Sequence, residues 1–192
     1  MRRTLFTIAL PEERFYIPEY NGIKVIITKV GKASSAYALT KALTDFNPDM
    51  VVNVGSAGTV KLDVGDIVVS RHFYDRDLAP LAIEGVKSEI NSFDATPFPS
   101  LVSGVENSGD FMVNTGDDFV TEKTGVKGDV IDMEAFAQAM VCDEEGIPFV
   151  AVKYITDKIG ENSIKIWSEK LKEAQKALQM YVSKYIIPAL PC

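Results

Sequence analysis

The chain has 192 residues and a formal net charge of −7, with 46% hydrophobic and 24% charged residues. This length and apolar content suit one globular domain over residues 1–192, and they exclude wholesale disorder, collagen and low-complexity classes. Neither charge sign forms a long block and no apolar run reaches the length of a membrane span, so we expect no nucleic-acid or membrane partner. With two cysteines and a poor signal peptide after Met1, we expect a cytoplasmic protein.

Short β-branched runs alternate with helical periodicity along the chain. The predicted strands span residues 5–10, 23–30, 50–54, 67–70 and 149–155. Helical spacing of apolar residues predicts three helices, which end near Asn47, Gly146 and Pro188, and the last begins near Ser168. The stretch 75–105 has little period and is predicted to be loop-rich. Strands alternating with helices indicate an α/β architecture with helices on both faces of a central sheet.

Several residues and motifs that particular reactions require are absent from the sequence, and their absence reduces the number of possible functions. His72 is the only histidine, so paired-imidazole zinc sites are excluded, and Cys142 lies within a helical pattern rather than beside a base. Gly31-Lys32 lacks the earlier glycine of a P-loop, and no GxGxxG sequence is present. We therefore expect no metal and no cofactor.

A buried strand followed by Gly-Ser-Ala-Gly at 55–58 is one candidate for a binding site. Ligands of open α/β sheets bind at strand ends, where backbone amides are exposed, and Gly55 and Gly58 would let a ligand approach the backbone. The alternative is a tight turn that needs positive φ, which the GxxG spacing alone favours.

Carboxylates at strand ends and helix starts are the second candidate. Glu12 and Glu13 follow the first strand, Glu134 begins a helix after Asp132, and Asp157 follows the last strand. Converging carboxylates can bind sugar hydroxyls, activate water and protonate a leaving group, as glycosidic cleavage requires. The structural alternative is that Asp132 caps the helix, Glu134 complements its dipole and Asp157 is a loop acid.

Taken in order, seven short segments resemble the nucleoside phosphorylase/nucleosidase superfamily, and within it the 5'-methylthioadenosine/S-adenosylhomocysteine nucleosidases. The segments lie at 9–13 (ALPEE), 30–33 (VGKA), 53–58 (NVGSAG), 64–70 (VGDIVVS), 108–110 (SGD), 132–134 (DME) and 155–157 (ITD). The resemblance implies a three-layer αβα fold around a mixed, partly barrel-like sheet, a homodimer, and hydrolysis of the N-glycosidic bond of a purine nucleoside or 5'-thio-substituted adenosine.

The resemblance also implies roles for individual residues. Asp157 would protonate N7 of the purine, Thr156 would help to orient the base, and Glu13 would hold and deprotonate the attacking water. Protonation matters because a neutral base leaves more readily than an anion. Glu134 would accept hydrogen bonds from the ribose hydroxyls, with Met133 packed against the sugar.

Further residues of these segments complete the expected binding set. Ser56, Ala57 and Gly58 would lie near the ribose and the water. The segment Phe111, Met112 and Val113 would face the base, with Met112 where the family commonly has a stacking phenylalanine and Phe111 as its substitute. Trp167 falls at a position that lines the 5'-substituent pocket in the family, although a core or interface tryptophan is equally compatible with its spacing.

The chain departs from the family pattern at several positions. Lys29 stands where the first loop usually has a glycine, Lys153 replaces an arginine, and the region 14–22 is shorter than typical. A phosphate-dependent phosphorylase remains an alternative, although it would need cations that the glycine segments offer only as Lys29 and Lys32. A nucleoside-binding protein without turnover is the other alternative.

Overall fold

The computed structural model describes residues 3–18, 22–81, 83–92, 111–122, 126–160 and 163–190. The strands are β1 Thr4–Ile8, β2 Ile23–Ile27, β3 Met50–Thr59, β4 Ile67–Ser70, β5 His72–Asp75, β6 Glu89–Asn91, β7 Met112–Thr115, β8 Val130–Asp132 and β9 Phe149–Lys158. The helices are α1 Lys32–Phe46, α2 Ala135–Glu144 and α3 Ser163–Tyr181, and a π-helix, Val182–Ile186, continues α3. In this part of the chain no helix has the length and apolarity that a membrane crossing requires.

The helices cover both faces of one mixed sheet. α3 presents Ala174, Leu178 and Tyr181 to one face, where they pack with Phe6 and Val152. On the other face, α1 and α2 contribute the second buried cluster, which contains Leu39, Leu43, Phe136, Val51 and Phe149. The predicted three-layer αβα arrangement is confirmed.

The central strand β3 organises the sheet because it has three neighbours. β1 pairs with it in parallel from Met50 to Asn53, and β9 pairs in parallel along its other edge. β8 joins antiparallel only at Gly58 and Thr59. The ladder with β1 has therefore ended before the ladder with β8 begins, and the sheet splits along residues 54–57.

The two branches beyond β3 give the sheet its partly barrel-like curvature. One branch runs from β9 to β4, and the other runs from β8 through β7 to β5 and β6. β4 and β5 are successive strands separated by Arg71, which links the branches through the chain. No ladder among the described strands closes the barrel.

The structure corrects the expected ends of four strands. β1 ends at Ile8 and β2 at Ile27, before the expected residues 10 and 30, whereas β3 and β9 continue further than expected. β3 continues through residues 55–58, and neither Gly55 nor Gly58 is among the glycines with positive φ, so the tight-turn alternative is wrong. Gly58 is instead closely packed, since a Cβ there would lie 2.8 Å from Ile159 Cδ1, which would have to move, and 3.2 Å from Asp157 Oδ2. β9 extends past residue 155 to Lys158 and carries Thr156 as the extra residue of a bulge.

Candidate active site

A cavity of about 290 Å³ opens where the sheet splits. Its walls come from the chain after β1, the end of β3, the turn between β8 and α2, and the end of β9. On the edge of β3 that faces β1 and β8, residues 54–57 pair with neither strand. Their backbone groups on this edge can therefore contact side chains and ligands. The predicted residues that line the cavity are Glu13, Ser56, Ala57, Gly58, Met133, Glu134, Asp157 and Trp167.

Glu13 is fixed at this edge by donors from both sides. It ends a 3₁₀ turn, Pro11–Glu13, and is 7% exposed. Its Oε1 accepts hydrogen bonds from the Ser56 backbone N–H at 3.0 Å and the Ser56 hydroxyl at 2.5 Å, and its Oε2 accepts from the Leu10 N–H at 3.3 Å. From α3, Gln175 Nε2 donates to the Glu12 and Arg14 carbonyls, at 2.6 and 3.0 Å. The carboxylate is thus held as an acceptor facing the cavity.

Trp167 lies on α3, one turn after its start, and reaches the same wall. Its indole Nε1 donates to Ser56 Oγ at 2.9 Å, and the ring lines the cavity. Of the two positions that its spacing allowed, the structure therefore places it at the pocket.

The turn between β8 and α2 carries two acids with different roles: Asp132 has a structural role and Glu134 lines the cavity. Asp132 caps α2 through the Ala135 N–H, at 2.9 Å, and accepts from the Thr115 hydroxyl at 2.6 Å. It also forms a buried ion pair with Lys153, at 2.8 Å. Glu134 is not used in the cap: its Oε1 accepts from the Gly31 N–H at 3.0 Å, and the residue lines the cavity.

Charge in this cluster is strongly coupled. Burial raises the pKa of Glu134 to about 7, the Asp132 charge adds to the rise, and Lys153 opposes it. Burial alone would lower the pKa of Lys153, but the charges of Asp132 and Glu134 raise it above its ordinary value. Lys153 is therefore charged, and it interacts electrostatically with three buried acids, Asp132, Glu134 and Glu13.

Asp157 owes its position to the bulge in β9. The extra residue shifts the register between Ala57 and Gly58, and Asp157 then lies opposite Gly58. Thr156 is buried, does not line the cavity, and donates to Asp157 Oδ1 at 2.8 Å. Thr156 thus contacts the carboxyl group of Asp157, and its role in orienting the base stays a prediction.

The segment expected to face the base lies elsewhere. Phe111, Met112 and Val113 do not line the cavity; Val113 is in the buried core and Phe111 packs against it. The cavity wall at this point comes from Phe119 and Val120. A signal for them was present, because Thr-Gly-Asp-Asp-Phe-Val at 115–120 closely parallels Ser-Gly-Asp-Phe-Met-Val at 108–113. Residues 108–110 lie outside the described residues.

Comparisons with known proteins show the family and the fold. A sequence model of the phosphorylase superfamily matches residues 6–187. The chain is 32% identical to the 5'-methylthioadenosine/S-adenosylhomocysteine nucleosidase of Psychromonas ingrahamii, covering 90% of this chain and 84% of that one. A crystal structure of the nucleosidase of that name from Helicobacter pylori aligns with a TM-score of 0.81 at 22% identity, covering 97% and 98% of the two chains. Futalosine hydrolase of the same species aligns with a TM-score of 0.81 at 21% identity, covering 96% and 97%.

The match to the family model over residues 6–187 shows that the chain is a phosphorylase-superfamily protein. Within that class, the chain belongs to the family of 5'-methylthioadenosine/S-adenosylhomocysteine nucleosidases. The predicted resemblance and the predicted enzyme class, a nucleosidase, are confirmed.

Proposed function

We propose that the protein hydrolyses the N-glycosidic bond of a 5'-thio-substituted adenosine or a related purine nucleoside. The observation that carries this proposal is the convergence of Glu13, Glu134 and Asp157 on one cavity, from three separate segments. The names of the family relatives support the 5'-thioadenosine substrate class.

Asp157 acts as the general acid in this proposal. The carboxyl group is 2% exposed, and its Oδ1 is held by the Thr156 hydroxyl. It delivers a proton to N7 of the purine as the bond between the base and ribose C1' breaks. The electron pair of that bond then leaves with a neutral base, and the sugar develops oxocarbenium character.

Glu13 acts as the general base and Glu134 binds the sugar. Glu13 takes a proton from the water that attacks C1', while Ser56 holds its Oε1 in place. Glu134 accepts hydrogen bonds from the ribose hydroxyls, and these contacts tighten as positive charge grows on the ring. Lys153, which forms an ion pair with Asp132, reduces the electrostatic repulsion among these acids.

The distribution of cations favours water over phosphate as the nucleophile. Lys32, which could have held phosphate, contacts Asp75 at 3.0 Å and Asp77 at 2.7 Å. Burial lowers the pKa of Lys32, but the contacts with the two carboxylates raise it by more. The pKa of Lys32 is therefore above its ordinary value. Among the described residues, Arg76 is the one cation that lines the cavity, and its hydrogen bonds go to protein oxygens. A phosphate dianion would therefore meet acids without a matching cation.

A homodimer in the cytoplasm is part of the proposal. Val30 lines the cavity and is 40% exposed, and Tyr37 on the neighbouring helix α1 is 69% exposed. Apolar groups at a cavity mouth favour cover by a second copy of the chain. Light scattering after size-exclusion chromatography would measure twice the 21.1 kDa chain mass; a monomer at all concentrations would contradict the dimer.

Base release from a panel of nucleosides tests the proposed reaction. Methylthioadenosine, adenosine and inosine are incubated in phosphate-free buffer, and the free base is quantified by chromatography. We expect fastest release from methylthioadenosine. Binding of these nucleosides without release of any base would favour the non-catalytic alternative, and binding can be followed through the fluorescence of Trp167, the single tryptophan.

A further inference from the structure

Arg76 lines the cavity beside Phe119 but directs its hydrogen bonds away from it. Nη1 donates toward the Asn114 carbonyl at 3.2 Å, the Asn114 side-chain oxygen at 3.1 Å and the Asp132 carbonyl at 3.2 Å. Nη2 donates to the Gly116 carbonyl at 2.9 Å and also to the Asp118 carbonyl. One side chain thus joins the end of β7, the loop that follows it and the end of β8.

The planar guanidinium group is suited to this arrangement. Its N–H groups point outward in a fixed fork, so it can reach acceptors on three segments at once, which a lysine ammonium on a flexible stem does less well. The loop is also shaped around it. A Cβ on Gly116 would lie 2.5 Å from Arg76 Nε and 2.6 Å from its Cζ, so the guanidinium occupies the space that a larger residue would need.

The loop that Arg76 holds is the one that carries Phe119. Asp118, whose carbonyl accepts from Arg76, directly precedes Phe119, and Phe119 is 40% exposed at the cavity wall. A half-exposed aromatic ring on a loop has little core packing to fix its position. Its position therefore depends on the backbone hydrogen bonds of the preceding residues.

We infer that Arg76 is a positioning residue for base recognition: it fixes the loop 116–118 so that Phe119 presents its ring to the purine. This inference rests on the proposed function. It makes Arg76 act through Phe119 rather than by touching the substrate.

Arg76→Gln, Arg76→Lys and Gly116→Ala test this role in three ways. Arg76→Gln removes the planar fork of N–H donors, Arg76→Lys keeps the charge without the fork, and Gly116→Ala displaces an intact guanidinium. Each is measured for kcat and KM with methylthioadenosine, and for binding of adenine and of 5-methylthioribose by calorimetry. Melting temperatures show which variants fold, and Lys87→Gln, at an exposed ion pair with Asp143, is the surface control.

We expect Arg76→Gln and Gly116→Ala to weaken adenine binding and raise KM roughly 5- to 100-fold, the range for loss of one base–aromatic stack. Binding of 5-methylthioribose and kcat should change less than about threefold, and Arg76→Lys should be intermediate. A general structural defect would weaken both ligands alike. Equal loss of adenine and methylthioribose binding, or no loss in folded Arg76→Gln, would overturn the role.

A double-mutant cycle tests the dependence on Phe119. If Arg76 acts through Phe119, the pair Arg76→Gln/Phe119→Ala should bind adenine as Phe119→Ala does, within about twofold. Additive losses would contradict the inference. A parent chain that releases no base would overturn the proposed function and this role together, whereas an active parent with unchanged KM in Arg76→Gln overturns this role alone.

Discussion

Two walls of the cavity differ in construction. The strand wall consists of Glu13, Ser56, Glu134 and Asp157, which lie on strands or on the turns that follow them, and the loop wall consists of the loop 116–120, which includes Phe119. Glu13, Glu134 and Asp157 are each at most 7% exposed, whereas Phe119 is 40% exposed. Hydrogen bonds from the sheet or its connections reach each of the three acids directly. The loop wall is instead held through its backbone by Arg76.

This difference separates chemistry from recognition. Proton transfer tolerates little displacement, so its groups gain from strands that cannot move independently of the core. Binding a flat base requires an aromatic ring that can stack against it. A loop held by a few hydrogen bonds can position such a ring and still let the ligand enter and leave. Changes to the proton-transferring acids Asp157 and Glu13 should therefore reduce kcat, changes to the sugar-binding Glu134 should alter KM, and changes to the loop wall should raise KM.

Asp157→Asn should give the largest effect on the strand wall. The amide can still hydrogen-bond but has no proton to transfer, so base release should fall about 10³- to 10⁴-fold. Methylthioadenosine should still quench or shift the Trp167 fluorescence with an affinity within about tenfold of the parent. A variant that retains a tenth of the parent turnover would remove Asp157 from the general-acid role.

Glu13→Gln should lower kcat about 10²- to 10³-fold while KM changes little, because its partner is water rather than the nucleoside. Steady-state kinetics at several nucleoside concentrations measure both constants. Glu12→Gln is the matched control, since Glu12 is adjacent and exposed. Equal turnover in Glu13→Gln and the parent would mean that Glu13 is only a structural acid.

Glu134→Gln should make the folded protein more stable above neutral pH. In the fold Glu134 keeps its proton up to a pKa of about 7, whereas the unfolded chain releases it near 4.5. Stability is therefore lost as pH rises between these values, and the full penalty is present above pH 7. Urea unfolding at pH 8 should show a gain of about 1–3 kcal/mol in the variant, and little gain at pH 4.5. A loss of stability at pH 8 would contradict the assigned charge balance.

The same group predicts a pH dependence of binding in the parent. The ionised form of Glu134 accepts hydrogen bonds from the ribose hydroxyls, so KM should fall as pH rises from 6 to 8 through its pKa of about 7. The Glu134→Gln variant should lose this slope. A slope retained in the variant would assign it to another group.

Gln175→Leu should give the smallest effect. It removes the two hydrogen bonds to the Glu12 and Arg14 carbonyls, so Glu13 is less well fixed and kcat should fall about 3- to 10-fold. Lys176→Gln, at the adjacent exposed position of α3, should match the parent. An unchanged kcat in Gln175→Leu would show that Ser56 and Leu10 suffice to hold Glu13.

The strand wall was largely predictable from the sequence, and the loop wall was not. Glu13 follows the predicted strand 5–10, Asp157 follows the predicted strand 149–155 and Glu134 begins a predicted helix. The α/β topology therefore favours their convergence at one sheet edge. The loop has no such pattern. Two similar segments, at 108–113 and 115–120, could each supply the aromatic residue, and only tertiary structure shows that Phe119 reaches the cavity.

Three further features needed the structure for physical reasons. The bulge at Thr156 depends on pairing with β3, since an extra residue is visible only against the partner strand. β5 to β8 are short and mix polar with apolar residues, so their sequences resemble loops. The ion pair of Lys153 with Asp132 joins residues 21 positions apart, beyond any local pattern.

The identity of the sugar product tests the central claim, hydrolysis by the strand wall, most directly. Methylthioadenosine is turned over in phosphate-free buffer and in buffer rich in phosphate, and the products are identified by mass spectrometry. We predict adenine and 5-methylthioribose in both buffers, at equal rates. Formation of 5-methylthioribose 1-phosphate in proportion to phosphate would contradict hydrolysis and favour the phosphorylase alternative.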